Sequence, residues 1–425
     1  MSFEHLPATL AQALEKAFNI TEAMPIQEAS YPLIEGGKNV VLQSHTGSGK
    51  TLAYLLPLLA KMDPAEKANT LLVVAPTQEL AVQIAGVVRG LNNHLEAPYS
   101  LALIPGGANI NHQIEKLKTR PAVLIGTPGR ILELFSRKKI NGQTIRFVVF
   151  DEVDAIMEQE HGRLMKDIQR ALLKDVQTVA VSASISMENQ QFLRAHIRGA
   201  EFLLSNGEAA LNPNIGNYIM RCEGRKKFDN LRHALAAMDG KTLVFLNGDE
   251  EILHLKERLS YHHIEAWTLS ADMKKLDRQK SLEEYRKAFE GVLISSDLSA
   301  RGLDITDIDQ VINMDFPHDP LTYVHRVGRT GRAGDAGAAL SFVSDNDEAA
   351  IRIYKRDLSI EFSEVHFAGG AVVLGAAPQK PAKDKAKSKG KKDSPSAKKP
   401  AKAPKHAKAK AKAKGAPKRI KKERS

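Results

Sequence analysis

The chain has 425 residues, of which 43% are hydrophobic, and a net charge of +11. This length suggests two or three domains of roughly 100–200 residues each, while the single cysteine, Cys222, excludes an internal disulfide framework and favours the reducing cytoplasm. Because no stretch approaches the ~20 apolar residues of a membrane helix, and the start has no basic and apolar leader, we expect neither a membrane span nor a signal peptide.

The first half of the chain alternates short apolar runs with segments of helical periodicity. This alternation predicts a parallel sheet covered by helices on both faces. The predicted strands are Asn39–Gln43, Leu71–Ala75, Leu101–Ile104, Val123–Ile125, Phe147–Phe150 and Thr178–Val181, and the predicted helices are Leu52–Lys61, Gln78–Leu91, Arg130–Ser136 and Met187–His196.

The same alternation restarts after residues 207–216, which are rich in Gly, Pro and Asn and are predicted to be a flexible linker. We therefore expect a second α/β domain at 217–368, after a first one at 1–206. Its predicted strands are Tyr218–Arg221, Leu243–Leu246, Ala266–Leu269, Val292–Ser295, Val311–Asp315 and Ala339–Val343, and its predicted helices are Lys226–Met238, Glu250–Leu259, Lys274–Phe289 and Asn346–Arg356.

The positive charge of the chain is concentrated in its last segment. Residues 378–425 contain 18 Lys and 2 Arg against three acidic residues, a net charge of +17, so residues 1–377 carry −6. This Lys-, Ala- and Pro-rich segment has almost no large apolar residue, and it cannot bury enough surface to offset its chain entropy. We therefore expect a disordered basic tail at 369–425.

The segment Ser44 to Thr51 reads SHTGSGKT and stands between a predicted strand and a predicted helix, as a phosphate-binding loop requires. Small residues let backbone N–H groups wrap the phosphates, and the helix N-terminus adds unpaired donors. We expect Lys50 to reach the β- and γ-phosphates and the Thr51 hydroxyl to hold Mg²⁺. A Gly- and Ser-rich turn without a ligand is the alternative, because Ser44 stands where the general pattern has a glycine. The remaining nucleotide-binding candidates in the loop are Thr46, Gly47, Ser48 and Gly49.

Three carboxylates, Asp151, Glu152 and Asp154, follow the predicted strand that ends at Phe150. Carboxylates at the carboxyl edge of a sheet are costly unless a cation or ligand satisfies them. We expect Asp151 to hold Mg²⁺, directly or through water, and Glu152 to orient and deprotonate the attacking water. Helix capping is the alternative, and the phosphate loop upstream argues against it. Together the two motifs predict ATP hydrolysis.

The second domain contains the segment His325 to Arg332, which reads HRVGRTGR. An arginine supplied across an interface stabilises the charge of a phosphoryl-transfer transition state and contributes on the order of 10³–10⁵ in rate. We choose Arg329 and Arg332 for this role, with a surface basic turn or an RNA contact as the alternative. Ser296 to Asp304 also follows an apolar strand, where α/β folds bind ligands.

This ordered set of motifs resembles the DEAD-box family of superfamily 2 RNA helicases, over roughly residues 1–367. The chain is similar to the short bacterial members that have a basic C-terminal tail. The resemblance implies two tandem RecA-like parallel-sheet domains and an RNA-dependent ATPase that separates RNA strands locally or remodels ribonucleoproteins, in ribosome assembly or RNA metabolism. It also implies ATP and Mg²⁺ as cofactors.

The resemblance assigns roles residue by residue. Phe3 and Gln27 belong to a motif that reads the adenine, and Asp304 reads the ribose. Asp154, Ser182, Ser184 and His325 couple the two domains. The implied contacts with the RNA backbone are Pro76, Thr77, Gly106, Gly107, Thr127, Pro128, Gly129, Arg130 and Arg278.

Several positions depart from the family pattern. The box reads DEVD instead of DEAD, and a serine stands at Ser184 and Ser296 where threonine is usual. Gln78 replaces an arginine of the first RNA motif, Lys275 replaces a glutamine, and Asn19-Ile20 replaces Gly-Phe. We expect ATP hydrolysis to survive these changes and Gln78 to lack a phosphate contact.

The expected partner is a single RNA strand with its adjacent duplex, bound without sequence specificity, and ribosomal particles are further candidates. Because one domain binds ATP and the other supplies the arginines, hydrolysis requires closure, and ATP and RNA should bind cooperatively. The basic tail is expected to tether the protein to structured RNA, with a solubilising appendage as the alternative. A monomer is the default state. Two rivals remain: a nucleic-acid chaperone with a vestigial ATP site, and a DNA translocase.

Overall fold

The computed structural model describes residues 3, 5–45, 47–183, 185–204, 211–270, 272–300, 308–331, 335–368 and 371–375. Four expected site residues, Thr46, Ser184, Asp304 and Arg332, lie outside the described residues. So do residues 205–210, which include part of the expected linker, and residues 376–425 of the expected tail. Within the described ranges, no helix has the length and apolar character needed to cross a bilayer.

The first domain is built on a seven-stranded sheet in which all neighbouring strands are parallel. Its strands are β1 (Val40–Gln43), β2 (Leu71–Val74), β3 (Leu101–Ile104), β4 (Val123–Gly126), β5 (Phe147–Asp151), β6 (Gln177–Ser182) and β7 (Glu201–Leu204). Its helices are α1 (Ala8–Phe18), α2 (Pro25–Glu35), α3 (Lys50–Ala60), α4 (Gln78–Asn92), α5 (Ile110–Leu117), α6 (Pro128–Ser136), α7 (Val153–Glu158), α8 (Arg163–Arg170) and α9 (Met187–His196). The spatial strand order is β3-β4-β2-β5-β6-β1-β7.

Helices cover both faces of this sheet. Along β2, Leu71 and Val73 pack in one hydrophobic cluster with α1 to α4, whereas Leu72 and Val74 pack in a second cluster with α5 to α9. Because successive side chains of a strand point to opposite faces, a strand buried on both faces is apolar throughout. This is why the sequence shows continuous apolar runs here.

The second domain is built on an eight-stranded sheet that is parallel except for its last strand pair. Its strands are β8 (Ile215–Arg221), β9 (Lys241–Phe245), β10 (Ala266–Leu269), β11 (Gly291–Ser295), β12 (Gln310–Asn313), β13 (Gly337–Val343), β14 (Ser363–Ala368) and β15 (Ala371–Leu374). Its helices are α10 (Lys227–Ala237), α11 (Asp249–Tyr261), α12 (Lys275–Lys287), α13 (Asp297–Ala300), α14 (Pro320–Val327) and α15 (Glu348–Asp357). The order is β10-β11-β9-β12-β13-β8-β14-β15.

The predicted fold class of two parallel-sheet α/β domains is confirmed. The structure adds elements that the sequence patterns did not reveal. Helices α2 and α5 were not among the predicted helices, although α5 packs Ile110, Ile114 and Leu117, at i, i+4 and i+7, against the second hydrophobic cluster. Strand β8 begins inside the range expected for the linker, and β15 lies inside the range expected for the tail.

Candidate nucleotide and RNA site

Expected phosphate-binding, metal-binding and coupling residues lie at the ends of three neighbouring strands of the first sheet. The phosphate loop follows β1, Asp151 ends β5, and Ser182 ends β6, which lies between those two strands. The carboxyl ends of parallel strands meet at one edge of a sheet, where α/β folds bind their ligands. The fold therefore brings these motifs together although they are far apart in the sequence.

The phosphate loop turns sharply around Lys50. Gly47 (φ 82°) and Gly49 (φ 81°) adopt the left-handed conformation that favours glycine, and α3 begins at the next residue. The Lys50 ammonium donates to the carbonyl oxygens of Ser44 (2.6 Å) and His45 (2.7 Å). These two bonds use two of the three N–H donors of the ammonium, so its own loop already holds the Lys50 side chain over the turn.

The electrostatics of the loop favour a charged ligand. Burial lowers the pKa of Lys50, although the charges of Asp151, Glu152 and Asp154 oppose that shift. The Ser48 hydroxyl is buried and has no hydrogen-bond partner among the described residues. A buried polar group without a partner costs about 1–3 kcal/mol, so a phosphate oxygen that accepts from Ser48 would remove this cost.

Gln27 touches the phosphate loop directly. Its side-chain oxygen accepts from Met24 N (3.0 Å), and its Nε2 donates to Gly49 O (3.1 Å). An amide oxygen accepts two hydrogen bonds and an amide nitrogen donates two, so one acceptor site and one N–H remain. Gln27 and Phe3 also line a common cavity of about 290 Å³ between α2 and α3. These features fit the adenine site that the resemblance implies.

The Asp151 carboxylate is held by two donors. Its Oδ2 accepts from the Tyr54 hydroxyl (2.8 Å) and its Oδ1 accepts from the backbone N–H of Glu152 (2.9 Å). Burial and the neighbouring Glu152 charge raise the pKa of Asp151, whereas Tyr54 and Lys50 act in the opposite direction. Because burial disfavours the ionised carboxylate, a cation at this position would be bound favourably.

Glu152 has a strained backbone. Its φ of 47° and ψ of 55° are left-handed, directly before α7 begins. For a residue other than glycine this conformation costs roughly 1–2 kcal/mol, and such strain is often found at functional sites. The surrounding structure thus fixes the direction in which the Glu152 side chain leaves the chain.

A buried pair joins the two domains. His325 Nε2, on α14, lies 3.3 Å from Oδ2 of Asp154, on α7. Burial opposes ionisation of both groups, but their mutual attraction prevails, so the pKa of His325 is raised and that of Asp154 is lowered, the latter with help from Ser182. Arg329 lies beside this pair, with Nε 3.3 Å from His325 O. Three expected coupling residues and one expected arginine therefore meet between the domains.

The expected RNA contacts of the first domain also follow neighbouring strands, β2, β3 and β4. Thr77 caps the start of α4, and the Thr127 hydroxyl accepts from Gly106 N (3.1 Å). Gly107 is left-handed (φ 68°), and a Cβ there would lie 3.2 Å from Nε2 of Gln78. The neutral amide that replaces the family's arginine thus lies against the backbone of this turn.

Helix α6 starts at this surface. Pro128 is its first residue, and a Cβ added to Gly129 would meet no atom within 4 Å. The Arg130 guanidinium donates to Ala108 O (3.0 Å) and to Gln113 Oε1 (2.8 Å). Arg130 therefore holds the turn after β3, and a helix start such as that of α6 is a general type of phosphate-binding site.

A second contact between the domains involves Arg278, which stands on α12. Its Nη2 lies 3.8 Å from Oε1 of Glu79 and donates to Ser299 O. Its Nε is buried and has no hydrogen-bond partner among the described residues. Pro76 contributes its carbonyl to Gln159 (3.4 Å).

Comparison with known proteins identifies the family of this chain. A family model described as DEAD/DEAH box helicase matches residues 24–193, and one described as helicase conserved C-terminal domain matches residues 226–334. The probable ATP-dependent RNA helicase YfmL of Bacillus subtilis (strain 168) is 35% identical over 369 residues, which cover 87% of this chain and 97% of the relative. The chain belongs to the DEAD-box family of RNA helicases. The DEAD-box ATP-dependent RNA helicase CshC of Bacillus cereus is also 35% identical, over 88% of this DEAD-box chain and 95% of its own length.

Solved structures support the same assignment. S. cerevisiae Dbp5 bound to RNA and ADP BeF3 superposes with a TM-score of 0.77 at 30% sequence identity, covering 86% of this DEAD-box chain and 95% of the Dbp5 chain in that structure. This similarity confirms the predicted pair of RecA-like domains.

One residue of this DEAD-box site was not indicated by the sequence patterns. Arg326 is only 2% exposed, although its motif reads as a basic turn. It donates five hydrogen bonds, two to the Asp297 carboxylate (2.6 and 2.7 Å) and one each to Asn313 (3.3 Å), Asp315 O (2.7 Å) and Asn247 (2.9 Å). These partners follow or end β9, β11 and β12. Arg326 therefore fixes α14, and with it His325 and Arg329, on the second sheet. The Asp-Pro pair at 319–320 is the sequence signal of a helix start that could have revealed α14.

Proposed function

We propose that this DEAD-box protein uses ATP binding and hydrolysis to separate RNA strands locally or to remodel ribonucleoproteins. The observation that carries the proposal is the pair His325 and Asp154, 3.3 Å apart, because it joins an arginine-bearing helix of one domain to the carboxylate motif of the other. YfmL is named as a probable ATP-dependent RNA helicase, and Dbp5 has been solved with RNA and a nucleotide analogue. Both support the assignment.

The residues present fit a bound Mg²⁺. The candidate ligands are the Thr51 hydroxyl and the Asp151 carboxylate, and among the described residues no group of three or more His, Cys, Asp and Glu could hold a metal. Mg²⁺ in nucleotide sites is commonly held by one or two carboxylates together with phosphate oxygens and water. Bound there, it would neutralise charge on the phosphates.

Each domain contributes a different part of the chemistry. Lys50 neutralises the phosphates, and Glu152 orients the attacking water and takes its proton. Arg329, together with Arg332, approaches the γ-phosphate from the second domain. Hydrolysis therefore needs the two domains to be in contact. The ion pair of Arg278 with Glu79 stabilises the same contact beside the RNA surface.

The proposed RNA contacts couple RNA binding to ATP binding. Because the expected RNA contacts belong to both domains, RNA favours the closed arrangement that ATP also favours, and each ligand raises the affinity for the other. Hydrolysis then removes the contribution of ATP to RNA affinity, and the RNA dissociates. Contacts by helix starts and tight turns address the phosphate backbone and carry no base information, which accounts for binding without sequence specificity.

A cytoplasmic location, a monomeric state and a role in ribosome assembly are further parts of the proposal. The single cysteine supports a reducing compartment. The basic segment supports an association with large RNA particles. Cosedimentation of the tagged protein with ribosomal particles in cell extracts tests the assembly role, and its absence from every particle fraction would count against it.

The decisive experiment compares nucleic acids and nucleotides in one assay. We expect turnover of ATP, but not of GTP, to rise when a single-stranded RNA is added, and a DNA strand of the same sequence to have little effect. Substituting Gln27→Ala should reduce the preference for ATP over GTP. Stimulation by DNA equal to that by RNA would favour a DNA translocase, and no stimulation by either would favour a chaperone with a vestigial ATP site.

The basic tail should raise the affinity for RNA without taking part in ATP hydrolysis. Removing residues 378–425 deletes the 18 Lys and 2 Arg of the tail, and phosphate contacts by such residues make binding salt-dependent. We expect the shortened protein to bind structured RNA more weakly, with a flatter dependence of affinity on salt, while ATP turnover at saturating RNA stays unchanged. Filter binding across a salt series measures the slope. An unaltered slope would mean that the tail serves only solubility.

A further inference from the structure

The Tyr54 hydroxyl contacts Asp151, one of the two residues that the proposed function assigns to Mg²⁺. Tyr54 stands one helical turn after Lys50 on α3, and its side chain is fully buried. The phenol O–H donates to Asp151 Oδ2 at 2.8 Å. No motif that was recognised in the sequence includes Tyr54.

The hydroxyl completes the support of the Asp151 carboxylate. One carboxylate oxygen accepts from Tyr54 and the other from the Glu152 N–H. Two donors on opposite oxygens fix the plane of the carboxylate, and each oxygen keeps a lone pair for a metal or for a metal-bound water. Groups that orient metal ligands in this way typically change metal affinity by 10–100-fold when they are removed.

We propose that Tyr54 is a positioning residue for Mg²⁺, whose hydroxyl holds the Asp151 carboxylate in the orientation that the metal requires. The inference rests on the proposed function, because it takes Asp151 as a Mg²⁺ ligand. In this role Tyr54 is not itself a ligand and acts through the Asp151 carboxylate.

A purely structural role for the hydroxyl predicts a different result. A buried tyrosine usually finds a hydrogen-bond partner for its hydroxyl, and losing that bond costs stability wherever the residue stands. Tyr99 is the matched control. Its buried hydroxyl donates to Leu59 O at 2.8 Å, towards the opposite end of the same helix.

The experiment uses the full chain with Tyr54→Phe and, separately, Tyr99→Phe. Binding of a fluorescent ADP analogue is titrated with and without MgCl₂, and the ratio of the two dissociation constants gives the enhancement by Mg²⁺. We expect Tyr54→Phe to reduce this enhancement about 10-fold while Mg²⁺-free affinity stays unchanged. Tyr99→Phe should keep the full enhancement, and both variants should lose a similar amount of thermal stability.

A double-mutant cycle completes the test. In an Asp151→Asn background, Tyr54→Phe should have much less effect on the enhancement, because the hydroxyl then has no carboxylate to orient. An unchanged or larger enhancement in Tyr54→Phe, or equal losses in both tyrosine variants, overturns the inference. The proposed function fails separately: wild-type protein that binds Mg²⁺–nucleotide normally but shows no stimulation by RNA would contradict the function and leave the role of Tyr54 intact.

Discussion

Replacing Arg329 with alanine should lower RNA-stimulated ATP turnover about 10³-fold. Arg329 is only 8% exposed and lies beside the pair that joins the domains, where its charge acts on His325. An arginine that approaches the γ-phosphate from the second domain stabilises the transition state more than the bound substrate. Steady-state turnover at saturating ATP and RNA measures the effect, while ATP affinity should change little.

Arg352→Ala is the matched control for this prediction. Both arginines place Nε 3.3 Å from the carbonyl oxygen four residues earlier, but Arg352 is exposed on α15. Removing Arg352 should leave turnover near the wild-type rate. Normal turnover in a well-folded Arg329→Ala protein would show that this guanidinium has no part in the chemistry, and the arginine assignment would then rest on Arg332 alone.

Replacing Glu152 with glutamine should lower turnover by about 10²–10⁴-fold, the usual contribution of a general base. The change keeps the size of the side chain and adds no strain to the left-handed backbone at this position. ATP and RNA binding should therefore persist, and the blocked variant should retain RNA for longer in the presence of ATP than the wild type does. Turnover assays and RNA dissociation rates with ATP present measure the two effects.

Glu188→Gln is the control for this loss of charge, because Glu188 is exposed in the first turn of α9. It should alter neither turnover nor RNA release. If Glu152→Gln lost ATP binding together with turnover, the defect would lie in the fold of the strained turn before α7, and the assignment of Glu152 as a base would lose its support.

The sequence predicted the parts of the site whose residue types and flanking elements are both distinctive. The phosphate loop was recognisable because Gly47, Gly49 and Lys50 stand between an apolar strand and a helix, and Asp151 because it ends another apolar strand. The order of motifs then indicated the family. These features are local, so a single sequence carries them.

Contacts between side chains that are far apart in the sequence could not be predicted from local patterns. Arg326 stands in a glycine-containing basic segment whose sequence suggests solvent exposure, and only the fold shows the five hydrogen bonds of this side chain. Tyr54 occupies a position in an apolar helix that any large core residue could fill, so its hydroxyl gave no signal. The meeting of His325 with Asp154 depends on how two domains pack, which no local pattern specifies.

We propose that the turn at Gly106–Gly107 and the start of α6 hold the RNA through backbone N–H groups, and this has a consequence for how the helicase finds its substrates. Contacts made by main-chain amides carry no base information, so they would not distinguish one transcript from another. Substituting a single side chain would leave such contacts in place. Under this proposal, the choice of transcript comes from other segments of the chain or from partner molecules.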